Sequence, residues 1–117
     1  MLFGFDFIRG SGNVQSRNYD LKGFRSVKLA GVGVLNFEQT DQESVRIEAD
    51  DNLFDYLRVE MRGTELHLGL ENRINLHSPY TLRFFVTAKE IEGIALSGSG
   101  DVFASAIKGE RLHYDIS

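Results

Sequence analysis

The stretch Ile91-Glu-Gly-Ile-Ala-Leu-Ser-Gly-Ser-Gly-Asp-Val-Phe-Ala104 constrains this chain more than any other, because it joins two apolar alternations through a glycine corner. Ile94 and Leu96 share one face of a predicted strand, and Val102 and Ala104 share one face of the next. Between them Gly98 and Gly100 supply positions that residues with a Cβ resist, and the Asp101 carboxylate can brace the corner by bonding neighbouring amides. The same pattern occurs upstream. Phe24, Val27 and Leu29, followed by Gly31 and Gly33, lay over Ile91, Ile94 and Leu96, followed by Gly98 and Gly100. Gly10-Ser11-Gly12 is a third corner, and Leu112, Tyr114 and Ile116 restate the arm that contains Ile94 and Leu96 about twenty residues later. A repeat of that length is in the range of stacked solenoid coils, each burying part of its apolar face on its neighbour.

The rest of the chain alternates in the same way. Phe3, Phe5 and Phe7 predict an opening strand rather than an export signal, since Asp6 interrupts the apolar run and no basic start precedes it. Arg17 to Lys22 is polar and is expected to loop. Three strands are predicted from Phe24 to Ala49, and Asp51 or Asn52 is positioned to cap a short helical turn carrying Leu53, Phe54 and Leu57 over the core. Leu57, Val59 and Met61, then Leu66, Leu68 and Leu70, read as a hairpin, and Leu82, Phe84 and Val86 form the strand that leads into the opening motif.

At 117 residues the chain predicts one domain, and an apolar fraction of 42% is enough for a modest core. The 13 basic and 17 acidic residues give a net charge of −4 without a basic run, which argues against a nucleic-acid partner. The absence of cysteine removes disulfides and thiolate metal sites, and no stretch has the length of a membrane-spanning helix.

Few residues offer chemistry. The glycine corners lack the third glycine and the following helix of a phosphate-binding loop, so Gly10, Gly12, Gly31, Gly33, Gly98 and Gly100, with Asp101, are read as structural. Asp50, Asp51 and Asp55 form the densest carboxylate group, yet they lack the alternating ligands and central glycine of a calcium loop and are read as capping residues. His67, His77 and His113 stand singly, and Ser99 has no nucleophile-elbow pattern around it. No cofactor, metal or catalytic residue is assigned.

Phe24-Arg-Ser-Val27-Lys-Leu29-Ala-Gly-Val-Gly33, Glu43-Ser-Val45-Arg-Ile47-Glu-Ala-Asp-Asp-Asn52-Leu, Leu66-His-Leu68-Gly and Ile94-Ala-Leu-Ser-Gly-Ser-Gly-Asp101-Val together resemble the bacterial putative auto-transporter adhesin family with the head GIN domain, a domain of unknown function. The resemblance implies a right-handed parallel β-helix-like fold, export to the cell envelope or beyond, and binding of a surface ligand, glycan or protein. Relatives carry an export or lipidation signal and continue through a further Ser-Gly-Ser-Gly-Asp coil. Against that pattern residues 1–117 are expected to be a single β-solenoid domain truncated at its C-terminal end, able to self-associate through the open rung at Leu112, Tyr114 and Ile116. The expectation is therefore a non-enzymatic adhesin or structural binding module, with a β-sandwich as the alternative fold. A polysaccharide-processing β-helix enzyme, marked by paired outward acids on adjacent rungs, and an end-to-end assembly module are the alternative functions.

Overall fold

The computed structural model describes residues 6–71, 74–77, 81–97, 100–105 and 113–116. Among the described residues the architecture is all-β, with one 3-10 helix at Asp51–Tyr56. The strands, in chain order, are β1 (Asp6–Arg9), β2 (Val14–Tyr19), β3 (Ser26–Ala30), β4 (Val34–Gln39), β5 (Ser44–Asp50), β6 (Leu57–Arg62), β7 (Glu65–Leu70), β8 (Ile74–His77), β9 (Leu82–Ala88), β10 (Gly93–Ser97), β11 (Asp101–Ser105) and β12 (His113–Ile116). They form two five-stranded sheets, ordered β12-β10-β3-β7-β6 and β11-β4-β9-β5-β2, and a small parallel pair of β1 with β8.

The overlaid sequence segments are physical neighbours. Ile94 pairs with Val27 and Leu96 with Leu29, in parallel, and on the other side of the same strand Ile94 pairs with Tyr114 and Leu96 with Ile116. Beyond the corner Asp101 pairs with Val34. On β3, β4 and β10 the side chains of one parity are buried, and their hydrophobic faces merge. Val27, Leu29, Leu66 and Leu68 from the first sheet join Leu35, Phe37, Ile47 and Phe84 from the second in a single core cluster, each at most 1% exposed. Burying a side chain of this kind contributes roughly 1.5–3 kcal/mol, so this interdigitation is the main stabilising term.

Both sheets are mixed. The pairs β6–β7, β5–β9 and β2–β5 are antiparallel. The neighbours β3 and β10 are 67 residues apart in sequence, whereas β10 and β12 are 20 apart. A uniform coil of about twenty residues thus does not describe the path from β3 to β10, because the β6–β7 hairpin and the reversed strand β5 are inserted there. Two mixed sheets over one core are nearer to the sandwich alternative.

Two local expectations are corrected. Val14–Tyr19 is an edge strand rather than a loop up to Lys22; its side chains are exposed except at Tyr19, so no apolar alternation announces it. Edge strands carry polar side chains for this reason. Arg17 and Tyr19 instead close the core's margin, with the Arg17 guanidinium 4.2 Å from the centre of the Phe54 ring and the Tyr19 phenol held above its ordinary pKa by burial, an effect Arg17 opposes. The helical turn is present and buries Leu53 and Phe54 as a plug, but its N-cap is Asp50, whose carboxylate makes no capping bond to the helix.

Candidate functional site

The glycine corners stack on one another. The Gly31 amide donates to the Ser97 carbonyl at 2.7 Å and the Asp101 amide donates to the Gly33 carbonyl at 3.0 Å, so the β3–β4 and β10–β11 segments are bonded on either side of the bend. Gly33 has a φ of 118°, and a Cβ there would stand 2.9 Å from Cε2 of the buried Phe84 ring. A Cβ on Gly100 would stand 2.9 Å from the Gly33 carbonyl oxygen and from Leu29 Cδ2. Gly31 sits at the same bend, Gly98 and Ser99 lie outside the described residues, and the Asp101 side chain is exposed. Among the described residues the Asp101 carboxylate takes no hydrogen bond, so the corner's described links run through backbone.

The corner at Gly10 and Gly12 is held by three consecutive residues at the end of β5, Asp50, Asp51 and Asn52. The Asp50 carboxylate accepts from the Gly12 amide at 2.8 Å and from the Thr81 amide at 2.6 Å. Asp51 accepts from the Ser11 hydroxyl and from the Asn13 side-chain amide, and the Asp51 amide in turn donates to the Asn13 carbonyl at 2.8 Å. Asn52 Oδ1 accepts from the Ser11 amide at 3.0 Å while its Nδ2 donates to the Arg9 carbonyl at 2.7 Å. The carboxylates are thereby occupied by protein donors, and among the described residues no group of three His, Cys, Asp or Glu side chains is placed to hold a metal ion. His67 faces outward beside Glu65, with Nε2 2.6 Å from Oε1, and the side chains of His77 and His113 lie outside the described residues.

The bonds from Ser11 and Asn13 hold the Asp51 carboxyl below its ordinary pKa of 3.8. A carboxyl lowered on folding contributes stability that is whole above its ordinary value and is lost as pH falls through the lowered folded value. Wild-type protein is therefore expected to melt above an Asp51→Asn variant at neutral pH, and the two melting temperatures should converge in acid below 3.8. Parallel pH profiles would show that Asp51 does no such work.

The outward face of the second sheet carries polar groups that no described residue pairs. Register places one row across it: Phe103 pairs with Asn36, Asn36 with Phe85, Phe85 with Arg46 and Arg46 with Asn18. With Glu38 these side chains line an open groove of about 460 Å³. The Arg46 guanidinium lies over the Phe85 ring at 4.1 Å and is steadied by Glu48 at 2.5 Å and Ser16 at 3.4 Å. Phe103 is 62% exposed, an unusual position for a large apolar ring on a sheet face. Asn18, Asn36 and Glu38 make no hydrogen bond among the described residues. Phe85 and Phe103 occupy outward positions in alternating strands, the one signal by which they were visible in sequence.

The pattern of a family described as "Putative auto-transporter adhesin, head GIN domain" matches residues 23–117. The fold is similar to that of a putative adhesin from Parabacteroides merdae (21% identity over 95% of this chain and 47% of that one, TM-score 0.82) and of a putative adhesin from Bacteroides fragilis (21% identity, 93% and 55%, TM-score 0.77). It is also similar to that of a protein from Parabacteroides distasonis named as a putative lipid binding protein, at 26% identity over 86% of this chain and 44% of that one, with a TM-score of 0.77. The chain spans about half the length of these solved structures. No curated protein matches it.

Proposed function

The chain belongs to the family of putative auto-transporter adhesins with the head GIN domain, and from that premise we propose that it is a non-enzymatic binding module of the cell envelope or surface. Its ligand is taken on the outward face of the second sheet. The observation that carries this reading is the transverse row from Phe103 to Asn18, which combines an exposed ring with polar groups that the described residues leave unpaired. The second sheet beneath the row, in which β4, β9 and β5 are bonded on both sides, holds those groups in place, as a binding face requires.

The stacking of the Gly31–Gly33 corner against Ser97 on one side and Asp101 on the other supports a finer reading, that the parallel ladders are coils of a solenoid. A polysaccharide-processing enzyme is less well supported. It needs two carboxylates facing each other, whereas Glu38 pairs with Thr87, Glu48 with Arg83, Glu60 with His67 and Asp101 with Val34. No helix among the described residues is long and apolar enough to cross a membrane.

Beads coated with the domain should be retained on at least one of three surfaces, mucin, collagen or intact bacterial envelopes, and the domain should release no reducing ends from acidic or neutral polysaccharides. Turnover of any polysaccharide, or equal retention of coated and bare beads on all three surfaces, would overturn the reading.

A further inference from the structure

We propose that the groove on the second sheet takes an uncharged glycan, laid across the strands along the row from Phe103 to Asn18; this rests on the binding-face reading above. Adjacent strands are about 4.8 Å apart, so the five residues of the row extend over about 19 Å and its two phenylalanines are separated by about 10 Å. That is an elongated track crossing the strands. A ligand for it must offer apolar patches and hydrogen-bonding groups in alternation along its length. A pyranose chain does so, because each ring has a face of C–H groups and a rim of hydroxyls.

The polar groups are matched to hydroxyls. Asn18 and Asn36 each offer a donor pair and an acceptor, and Glu38 adds two acceptor oxygens; none is used by another described residue. Arg46 spends Nη1 on Glu48 and Ser16 with its guanidinium over the Phe85 ring, and its other N–H donors make no bond to a described residue. Phe103 at the end of the row presents an uncovered ring for the C–H face of a sugar.

Electrostatics selects against the charged alternatives. The one guanidinium in the row is already paired with Glu48, and Glu38 would repel a carboxylate or sulfate laid beside it. An acidic glycan or a phosphate-bearing lipid headgroup therefore gains little there. A lipid tail needs an enclosed apolar lining, whereas this groove is open and the rings of Phe85 and Phe103 are interrupted by amides, a carboxylate and a guanidinium. A peptide strand would favour a free sheet edge over the middle of a sheet face.

The test is calorimetry of the whole chain with soluble cello-, manno-, xylo- and laminari-oligosaccharides as uncharged probes, polygalacturonate and heparin fragments as charged ones, and vesicles of zwitterionic and anionic lipid. The expected result is saturable binding of at least one uncharged series, unaffected by added sodium chloride and weakened at least tenfold by Phe103→Ala and by Asn36→Ala, with unchanged melting temperatures in both variants. Three results overturn the proposal: no uncharged series binds, binding is confined to polyanions or vesicles, or Phe103→Ala leaves uncharged-glycan affinity unchanged. Bead retention on mucin, collagen or envelopes separates this proposal from the reading beneath it. Retention that still depends on Phe103 and Asn36 without uncharged-glycan binding removes the glycan and keeps the face, whereas retention indifferent to both residues removes the face itself.

Discussion

Replacing Gly69 by valine is expected to remove on the order of 3 kcal/mol of stability, and to lower the melting temperature by on the order of 10 °C. Gly69 sits inside β7, paired with Ala30 on one side and Arg58 on the other, with a φ of 154°. A Cβ on it would collide with the Ala30 carbonyl of the neighbouring strand. That carbonyl belongs to the residue from which the chain enters the Gly31 bend, so relief by backbone movement would disturb the corner that joins the two sheets. A β-branched residue adds the cost of overpacking in a site that cannot open on either side. Thermal denaturation followed by circular dichroism checks it. A valine variant that melts with wild type would mean that β3 and β7 are not in the register described.

The second large effect is at Asp50, which is 2% exposed. Asp50→Ala removes the acceptor for two backbone amides, Gly12 and Thr81, that belong to distant parts of the chain. Hydrogen bonds to charged groups contribute about 1.5–3 kcal/mol, so losing two part-buried ones should cost the variant about 3 kcal/mol. Asp50→Asn keeps one carbonyl oxygen and should lose roughly half as much. Urea denaturation gives both values from shifts in midpoint at constant slope. Equal stability of the alanine variant and wild type would show that the carboxylate does not fasten the Gly12 corner to the strand beginning near Thr81.

These two residues mark different limits of what was legible in the sequence. The positions of β3, β10 and β12 could be read, and so could their mutual register, because Val27, Leu29, Ile94, Leu96, Tyr114 and Ile116 repeat one pattern on strands that lie side by side. The hairpin of β6 and β7 was legible from two alternations around Gly63. Strand β2 was not, since an edge strand with no fully buried side chain has no hydrophobic period to detect. Gly69 stood in plain view as a glycine inside an alternating strand, which is a sign of close backbone approach. Asp50 was assigned to helix capping because local rules weigh only the residues that follow it, whereas its partners are 38 and 31 positions away.

The candidate site was the least legible part. Asn18, Asn36, Arg46, Phe85 and Phe103 are spread over most of the chain and become neighbours only through pairings between β2, β5, β9, β4 and β11. The alternation of Phe84 with Phe85 and of Val102 with Phe103 assigns one ring of each strand to the outside. It cannot say that the two outward rings lie in one row, because that depends on a register which mixes parallel and antiparallel strands.

We propose that ligand is bound by the outward face of the second sheet and not by that of the first. It is tested most directly by comparing two double variants for retention of coated beads on mucin, collagen and bacterial envelopes: Phe103→Ala with Asn36→Ala on the second sheet, and Lys28→Ala with His67→Ala at paired outward positions on the first. The predicted result is wild-type melting temperatures for both, with retention lost in the first pair and kept in the second; retention kept in the first pair, or lost only in the second, would contradict it.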